Sequence, residues 1–377
     1  MNKSGKILIA AFNGISALSP TEATSRLARG IRAIDTSIDS SRIAQLPFVD
    51  GGSGTIDFLV TNTLGSFLEV EATGASGEEI VVPIGFAGED GKLAAIEMSR
   101  VSGVANMGTG GTTAGVGELI QDALDEGAFS ILLGHEEPLA CDAGLGAAAA
   151  LGVKYFDANG APITSILSAD HILKIDRIDI SARSFSLLSS RIYIARSKSA
   201  INSSASEELL ASLAHLSEII RRDVGVPAPR TQMSASAIEF GLVSLIGAEA
   251  RDGLHLVIEA SGIAEVIERD EFSAFILLAP SIGALNAPEL RSILQRIASH
   301  VARGAVILTR GSLGENGDRG GSTGAYEIFD RVRVKIFYLQ DVQLFQRPIY
   351  DDSNIEEVMR DFGMRLDKIL PVVMESL

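Results

Sequence analysis

The chain has 377 residues, 46% of them hydrophobic and 21% charged, enough apolar material for two or three domains and too little charge for long disorder. Its formal net charge of −16 repels nucleic acid and anionic membrane, so neither is an expected partner. The single cysteine, Cys141, excludes an internal disulfide and a cysteine-rich zinc site.

The start, MNKSGKILIAAF, carries only a strand-length apolar run, and no segment reaches the roughly 20 apolar residues of a membrane span. A soluble, cytoplasmic protein is expected. Lys6–Phe12 is continuously apolar, as a strand buried on both faces must be. Ser19, Pro20 and Glu22 mark a helix start, predicted to run to Ile34. Arg42–Val49 is a second strand, followed by Asp50-Gly51-Gly52-Ser53-Gly54-Thr55 and a helix over Ile56–Thr63. A strand, a glycine turn and a helix in that order can aim backbone N–H groups at an anion.

Residues 66–98 alternate in polarity between glycine turns, which predicts antiparallel hairpins ending in a strand over Lys92–Met98. A helix over Thr112–Glu126 and a strand over Phe129–Leu133 lead into GHEEPLACDAGLGAAAALG (134–152), whose helix ends near Gly152. Val153–Asp157 and Arg191–Ala195 read as strands, and Ser203–Arg222 as a long amphipathic helix that docks either internally or on another chain. From Phe272 onward strand and helix alternate: strand FSAFILLAP, helix Pro288–Arg303, strand AVILTRG, short helix Gly324–Arg331, strand VKIFYLQ and closing helix Asn354–Met374. The glycine- and charge-rich stretch 314–324 reads as a loop.

Such alternation argues for parallel α/β sheets. Two different α/β domains are expected. One is a Rossmann/flavodoxin-like parallel-sheet domain built from both chain ends, residues 1–60 and 271–377. The other is an inserted mixed-sheet α/β domain, residues 61–270.

Four stretches share one resemblance: PFVDGGSGT (47–55), AAIEMSRVSGVA (94–105), TTAGVGELIQDALDEG (112–127) and GAEARDGLHLVIEASGIAEVI (247–267). In this order they resemble the bacterial glycerate kinase family, and the resemblance covers nearly the whole chain. It implies phosphorylation of glycerate with ATP and Mg²⁺, and an active site in the cleft between two α/β domains.

The departures from the family pattern fall on polar motifs. The family's aspartate-serine-phenylalanine-lysine turn is Phe12-Asn13-Gly14-Ile15, and its glutamate in the glycine turn is Ser53, while Asp50 is kept. Its glycine-glycine-serine-alanine-threonine-asparagine-aspartate run reads Glu136-Glu137-Pro138-Leu139-Ala140-Cys141-Asp142, with only the aspartate kept. A later acidic pair is replaced by Arg196-Ser197-Lys198, and a glutamate-glycine-arginine motif by Ala279-Pro280-Ser281-Ile282-Gly283. The lost groups are ones that phosphoryl transfer uses for metal, nucleotide and positioning. ATP and Mg²⁺ are thus implied by resemblance while several groups that would hold them are missing. Two readings follow: a kinase-like protein with weak or absent activity and a binding or partner role, or an active kinase for glycerate or another small hydroxy acid or polyol through an altered site.

Each candidate has a functional and a plain reading. Asp50 and Asp142 are either catalytic acids or helix caps. Gly51, Gly52, Ser53, Gly54 and Thr55 hold an anion or simply shape a turn. Thr112 and Thr113 meet a ligand or start a helix. Arg196 and Lys198, two apart on a strand end, point the same way and clamp an anion, or else pair with Glu136 and Glu137. Glu97 and Arg310 complete the cleft candidates, Glu97 being equally suited to burial with a partner or to capping the next turn. Arg319 is a further cation for the cleft. His135 with Glu136 and Glu137 lacks metal-motif spacing, so no metal site is predicted. Cys141 at a helix start has no base supplied by any motif. A small metabolite, a second copy of the chain or another protein are the expected partners.

Overall fold

A computed structural model describes residues 6–12, 20–34, 38–88, 90–103, 110–164, 169–227, 229, 233–263, 267–268, 272–279, 288–309 and 333–338. In chain order the strands are β1 (Lys6–Phe12), β2 (Ile43–Phe48), β3 (Ser66–Thr73), β4 (Glu79–Ala87), β5 (Leu93–Glu97), β6 (Ser130–His135) and β7 (Lys154–Phe156). They continue with β8 (Pro162–Ile163), β9 (Arg177–Asp179), β10 (Arg191–Arg196), β11 (Glu249–Asp252), β12 (Phe272–Ala279), β13 (Val301–Thr309) and β14 (Arg333–Tyr338). The chain divides into two compact units, Met1–Val49 with Gly262–Leu377, and Asp50–Ser261.

The first unit carries a five-stranded sheet in the order β14-β13-β12-β1-β2, parallel throughout. Its central strands are the apolar runs: Ile9, Ala10 and Ala11 of β1 and Phe275 and Leu277 of β12 are inaccessible to solvent. Helix Pro20–Ile34 buries Ala23, Leu27 and Ile31, spaced four apart and so on one face. Each of the two larger side chains contributes about 1.5–3 kcal/mol on burial. Phe12 and Phe48 are register partners, and their rings stack at 4.6 Å. Helix Pro288–Ser299 ends four residues before the expected Arg303. Val301 onward is drawn into β13, which pairs with β12 on one side and β14 on the other.

The second unit carries a six-stranded mixed sheet in the order β11-β10-β6-β5-β4-β3. β3, β4 and β5 pair antiparallel, and β5, β6, β10 and β11 pair parallel. The antiparallel part follows the predicted hairpins. Gly77, at φ +88°, lies in the turn between β3 and β4 where a side chain would be strained. Helix Thr55–Thr63 lies on this sheet: a Cβ at Gly85 of β4 would come 2.6 Å from Ile56 Cγ2. That packing carries residues 50–63 into the second unit, so the break falls between Val49 and Asp50 rather than near residue 60.

The long helix spans Glu207–Asp223, with Ser206 as its N-cap accepting from the Leu209 N–H. Leu209, Leu213, Leu216, Ile219 and Ile220 join the core of the second unit, so this face docks internally. A small antiparallel sheet in the order β8-β7-β9 completes the unit. The predicted helices 324–331 and 354–374, the loop 314–324, and Arg310 and Arg319 lie outside the described residues. Among the described residues no helix is long and apolar enough to cross a membrane.

Candidate functional site

Within the second unit, β5, β6 and β10 end side by side, with Glu97 in register with Gly134 and His135 with Arg196. The carboxyl ends of parallel strands are where α/β sheets place ligands. The Asp50–Thr55 turn lies directly on these ends. A Cβ on Gly51 would come 2.3 Å from the Ala195 carbonyl oxygen, and one on Gly134 would come 2.7 Å from the Gly51 carbonyl oxygen. Gly51 and Gly54 also sit at φ +89° and +90°. Gly51 is required by both contact and conformation, and Gly54 by conformation.

The polar groups around the turn satisfy one another. Asp50 Oδ2 accepts from the Lys198 backbone N–H at 2.9 Å. The Thr55 hydroxyl donates to the Gly52 carbonyl. Glu97, 3% exposed, accepts from the Ile56 N–H at 2.9 Å and from Arg100 Nε at 2.6 Å, so it both caps the 55–63 helix and carries a cationic partner. Arg100 also bonds Asp57 at 3.2 Å.

Glu136 bonds the glycine turn through Ser53. Its Oε2 accepts from Ser53 N at 2.8 Å and from Ser53 Oγ at 2.5 Å. It lies so close over the turn that a Cβ on Gly52 would meet its carboxylate at 3.2 Å.

Glu137 faces the other way. It accepts from the Ser236 N–H and hydroxyl at 3.1 and 2.6 Å, and from the Leu139 N–H at 2.9 Å, with His135 Nε2 at 3.2 Å. Burial by itself pushes this carboxyl up, but the His135 contact and the Ser236 donors outweigh it and hold it at about 2. On its far side the His135 ring places Nδ1 3.5 Å from Glu239 Oε1, and Arg196 Nε lies 3.2 Å from the same oxygen. Glu239 Oε2 accepts from the Ser234 hydroxyl at 2.7 Å.

Arg196 and Lys198, expected to point the same way from a strand end, do not. Arg196 pairs with Glu239. Lys198 does not continue the strand: β10 stops at Arg196, and Ser197 caps a short helix, Lys198–Ile201. Strand alternation no longer applies there, and the Lys198 side chain is exposed while Arg196 is largely buried.

Asp142 is fully buried and accepts four strong bonds: Thr113 N at 2.8 Å, Thr113 Oγ1 at 2.9 Å, Gly144 N at 2.9 Å and Gly146 N at 3.1 Å. It clasps the starts of helices Ala114–Asp125 and Leu145–Ala150. Burial pushes its carboxyl up to about 6 against those bonds. Thr112 Oγ1 accepts from the Ala114 N–H, an ordinary helix-start contact. Cys141 Sγ lies 3.6 Å from the Leu139 carbonyl.

Among the described residues no three His, Cys, Asp or Glu side chains are arranged to hold a metal ion. Asp50, Glu97, Glu136, Glu137 and Asp142 each already accept from N–H or O–H donors. A Mg²⁺ ion that arrives with a nucleotide takes only one or two protein carboxylates beside waters and phosphates; among the described residues those at the strand ends are already engaged by N–H or O–H donors. Sequence reasoning did not single out Glu239, Ser234 or Ser236. The signal was present in TQMSASAIEFG: one acid among small residues in an otherwise apolar run is an acid that must find partners inside.

The sequence profile described as Glycerate kinase family matches residues 7–199. A glycerate 2-kinase of Escherichia coli K12 is 30% identical over 287 residues, covering 70% of this chain and 74% of that one. A glycerate kinase of Bacillus subtilis 168 is 27% identical over 288 residues, with 70% and 74% covered. A solved chain from Salmonella typhimurium LT2 that bears the name glycerate kinase 2 superposes with a TM-score of 0.69 at 22% identity, covering 99% of this chain and 100% of that one. That likeness establishes the shared α/β fold. With the profile spanning half of its length and the E. coli relative matched over more than two thirds of it, this chain belongs to the glycerate kinase family.

Proposed function

We propose that this family member binds a small metabolite or a protein partner and phosphorylates glycerate with ATP weakly or not at all. One observation carries the reading: the Glu136 carboxylate takes both donors of Ser53 in the glycine turn. A phosphate or carboxylate brought to the same turn meets a like charge at contact distance. At 4 Å that repulsion is about 1 kcal/mol per unit charge in bulk water and about 4 kcal/mol near a protein surface. Arg196, the last residue of β10, is engaged by Glu239, which reduces its pull on an incoming anion.

A second reading is favoured by the kinase names of the E. coli and B. subtilis relatives and by the retained Asp50. In it the chain phosphorylates glycerate, or another small hydroxy acid or polyol, once Glu136 swings off Ser53. Purified protein assayed with Mg·ATP and D-glycerate separates the two. Turnover near the ordinary enzyme range of about 1–10³ s⁻¹ refutes the first reading. Absent turnover supports it, provided that Glu136→Ala gains inorganic-phosphate binding by about tenfold or more over the parent protein. No gain in that variant removes the blocking role given to Glu136.

A further inference from the structure

His135, the last residue of β6, is inaccessible to solvent. Both of its ring nitrogens look at carboxylate oxygens: Nε2 lies 3.2 Å from Glu137 Oε1 and Nδ1 lies 3.5 Å from Glu239 Oε1. A neutral imidazole donates from one nitrogen and accepts at the other, whereas an ionised carboxylate only accepts. One of the two approaches therefore sets lone pair against lone pair, unless the ring carries a proton on each nitrogen.

Charge balance points the same way. Among the described residues, the charged side chains around the ring are Glu137 from the segment after β6, Glu239 from helix Ile238–Gly241, and Arg196 from β10, which lies 3.2 Å from Glu239. Glu97 of the neighbouring β5 is in register with Gly134, so it lies on the opposite face, where Arg100 answers it. Ser234 and Ser236 donate hydrogen bonds but no charge. With a neutral ring, two buried carboxylates face one guanidinium. With an imidazolium the group is balanced, and a buried excess charge is by far the costlier arrangement.

The alternation of side chains ties this network to the glycine turn. Gly134 and Glu136 meet the turn on one side of the sheet, at Gly51 and Ser53. His135 and Glu137 meet Glu239 and Ser236 on the other. Fixing Glu137 on its side holds its neighbour Glu136 over Ser53. We infer that His135 is a buried imidazolium whose charge, acting through Glu137, positions Glu136 on the glycine turn. Its consequence for anions at the turn rests on the blocking role proposed above for Glu136.

The test is nitrogen NMR of the full chain with labelled histidine, the His135 signals being identified among the five histidines by their loss in His135→Gln. At pH 7.5 an ordinary histidine is only about a tenth charged, whereas His135 is expected with both ring nitrogens protonated. A ring with one bare nitrogen at that pH overturns the inference. Glu239→Gln removes one of the two carboxylates and should lower the pH at which the second ring proton leaves by about one unit; no change overturns the charge balance. Positioning is read by amide hydrogen exchange of Ser53, whose N–H donates to Glu136, against Ile56, whose N–H donates to Glu97 at the end of the same turn. In His135→Gln the ratio of the Ser53 rate to the Ile56 rate should rise about fivefold, and an unchanged ratio overturns the positioning role. If His135→Gln does not fold, Glu239→Gln identifies the His135 signals by their displacement. The same ratio is then followed in that variant as pH rises, and it must climb where the ring proton leaves. Neither readout needs nucleotide or phosphate, so both stand or fall apart from kinase turnover and from the phosphate gain of Glu136→Ala.

Discussion

Glu137→Gln isolates the electrostatic value of the buried network beneath the glycine turn. In the folded chain the Glu137 carboxyl is held at about 2, against an ordinary value of 4.5. A depressed carboxyl stabilises the fold fully above its unfolded value and loses that contribution as pH falls through its folded value. The difference of about 2.5 units corresponds to roughly 3 kcal/mol at neutral pH. The side chain is only 5% exposed, so solvent screening removes little of this. Urea unfolding of parent and variant from pH 7 to pH 2.5 measures the difference directly. It should be about 3 kcal/mol at pH 7, hold down to about pH 5, and shrink steadily between about 4.5 and 2. Hydrogen exchange at the Leu139 and Ser236 amides, both donors to Glu137, should quicken in the variant. Asp142 titrates with the opposite sign: its folded carboxyl is raised to about 6, so it weakens the fold as pH rises from about 4 to 6. Both proteins share that effect and it cancels in the difference. A stability difference that stays constant from pH 5 to pH 3 refutes the reasoning.

Two further substitutions probe the scaffold. Gly51→Ala places a Cβ 2.3 Å from the Ala195 carbonyl at a φ of +89°; a loss of about 2 kcal/mol or more in denaturant unfolding is expected, and a neutral result removes the close approach of turn and strand ends. Asp142→Asn removes the charge whose ionisation burial opposes; in urea unfolding the fall in stability as pH rises from about 4 to 6 should be absent from the variant, and a variant that keeps the full fall contradicts the assignment to Asp142.

Local chemistry made much of the first unit legible. The apolar run Lys6–Phe12 forms a parallel strand paired with β2 on one side and β12 on the other, with Ile7–Phe12 buried. Pro20 opens its helix where a missing N–H costs nothing. Alternation over 66–87 was enough to predict a hairpin, since period two leaves one face for the core.

Partner identity was what only the tertiary structure decided. Arg196 and Lys198 look equivalent by spacing, yet a Ser197 cap ends the strand between them and sends one side chain to Glu239 and the other to solvent. Glu136 and Glu137 are neighbours in sequence, but one bonds Ser53 and the other Ser236, residues far away along the chain in opposite directions. Periodicity and capping act within a few residues and can be read from a string. Which donor satisfies a buried carboxylate depends on how distant strands and turns come together, and that fold-level meeting is what occupies the glycine turn with the chain's own acid.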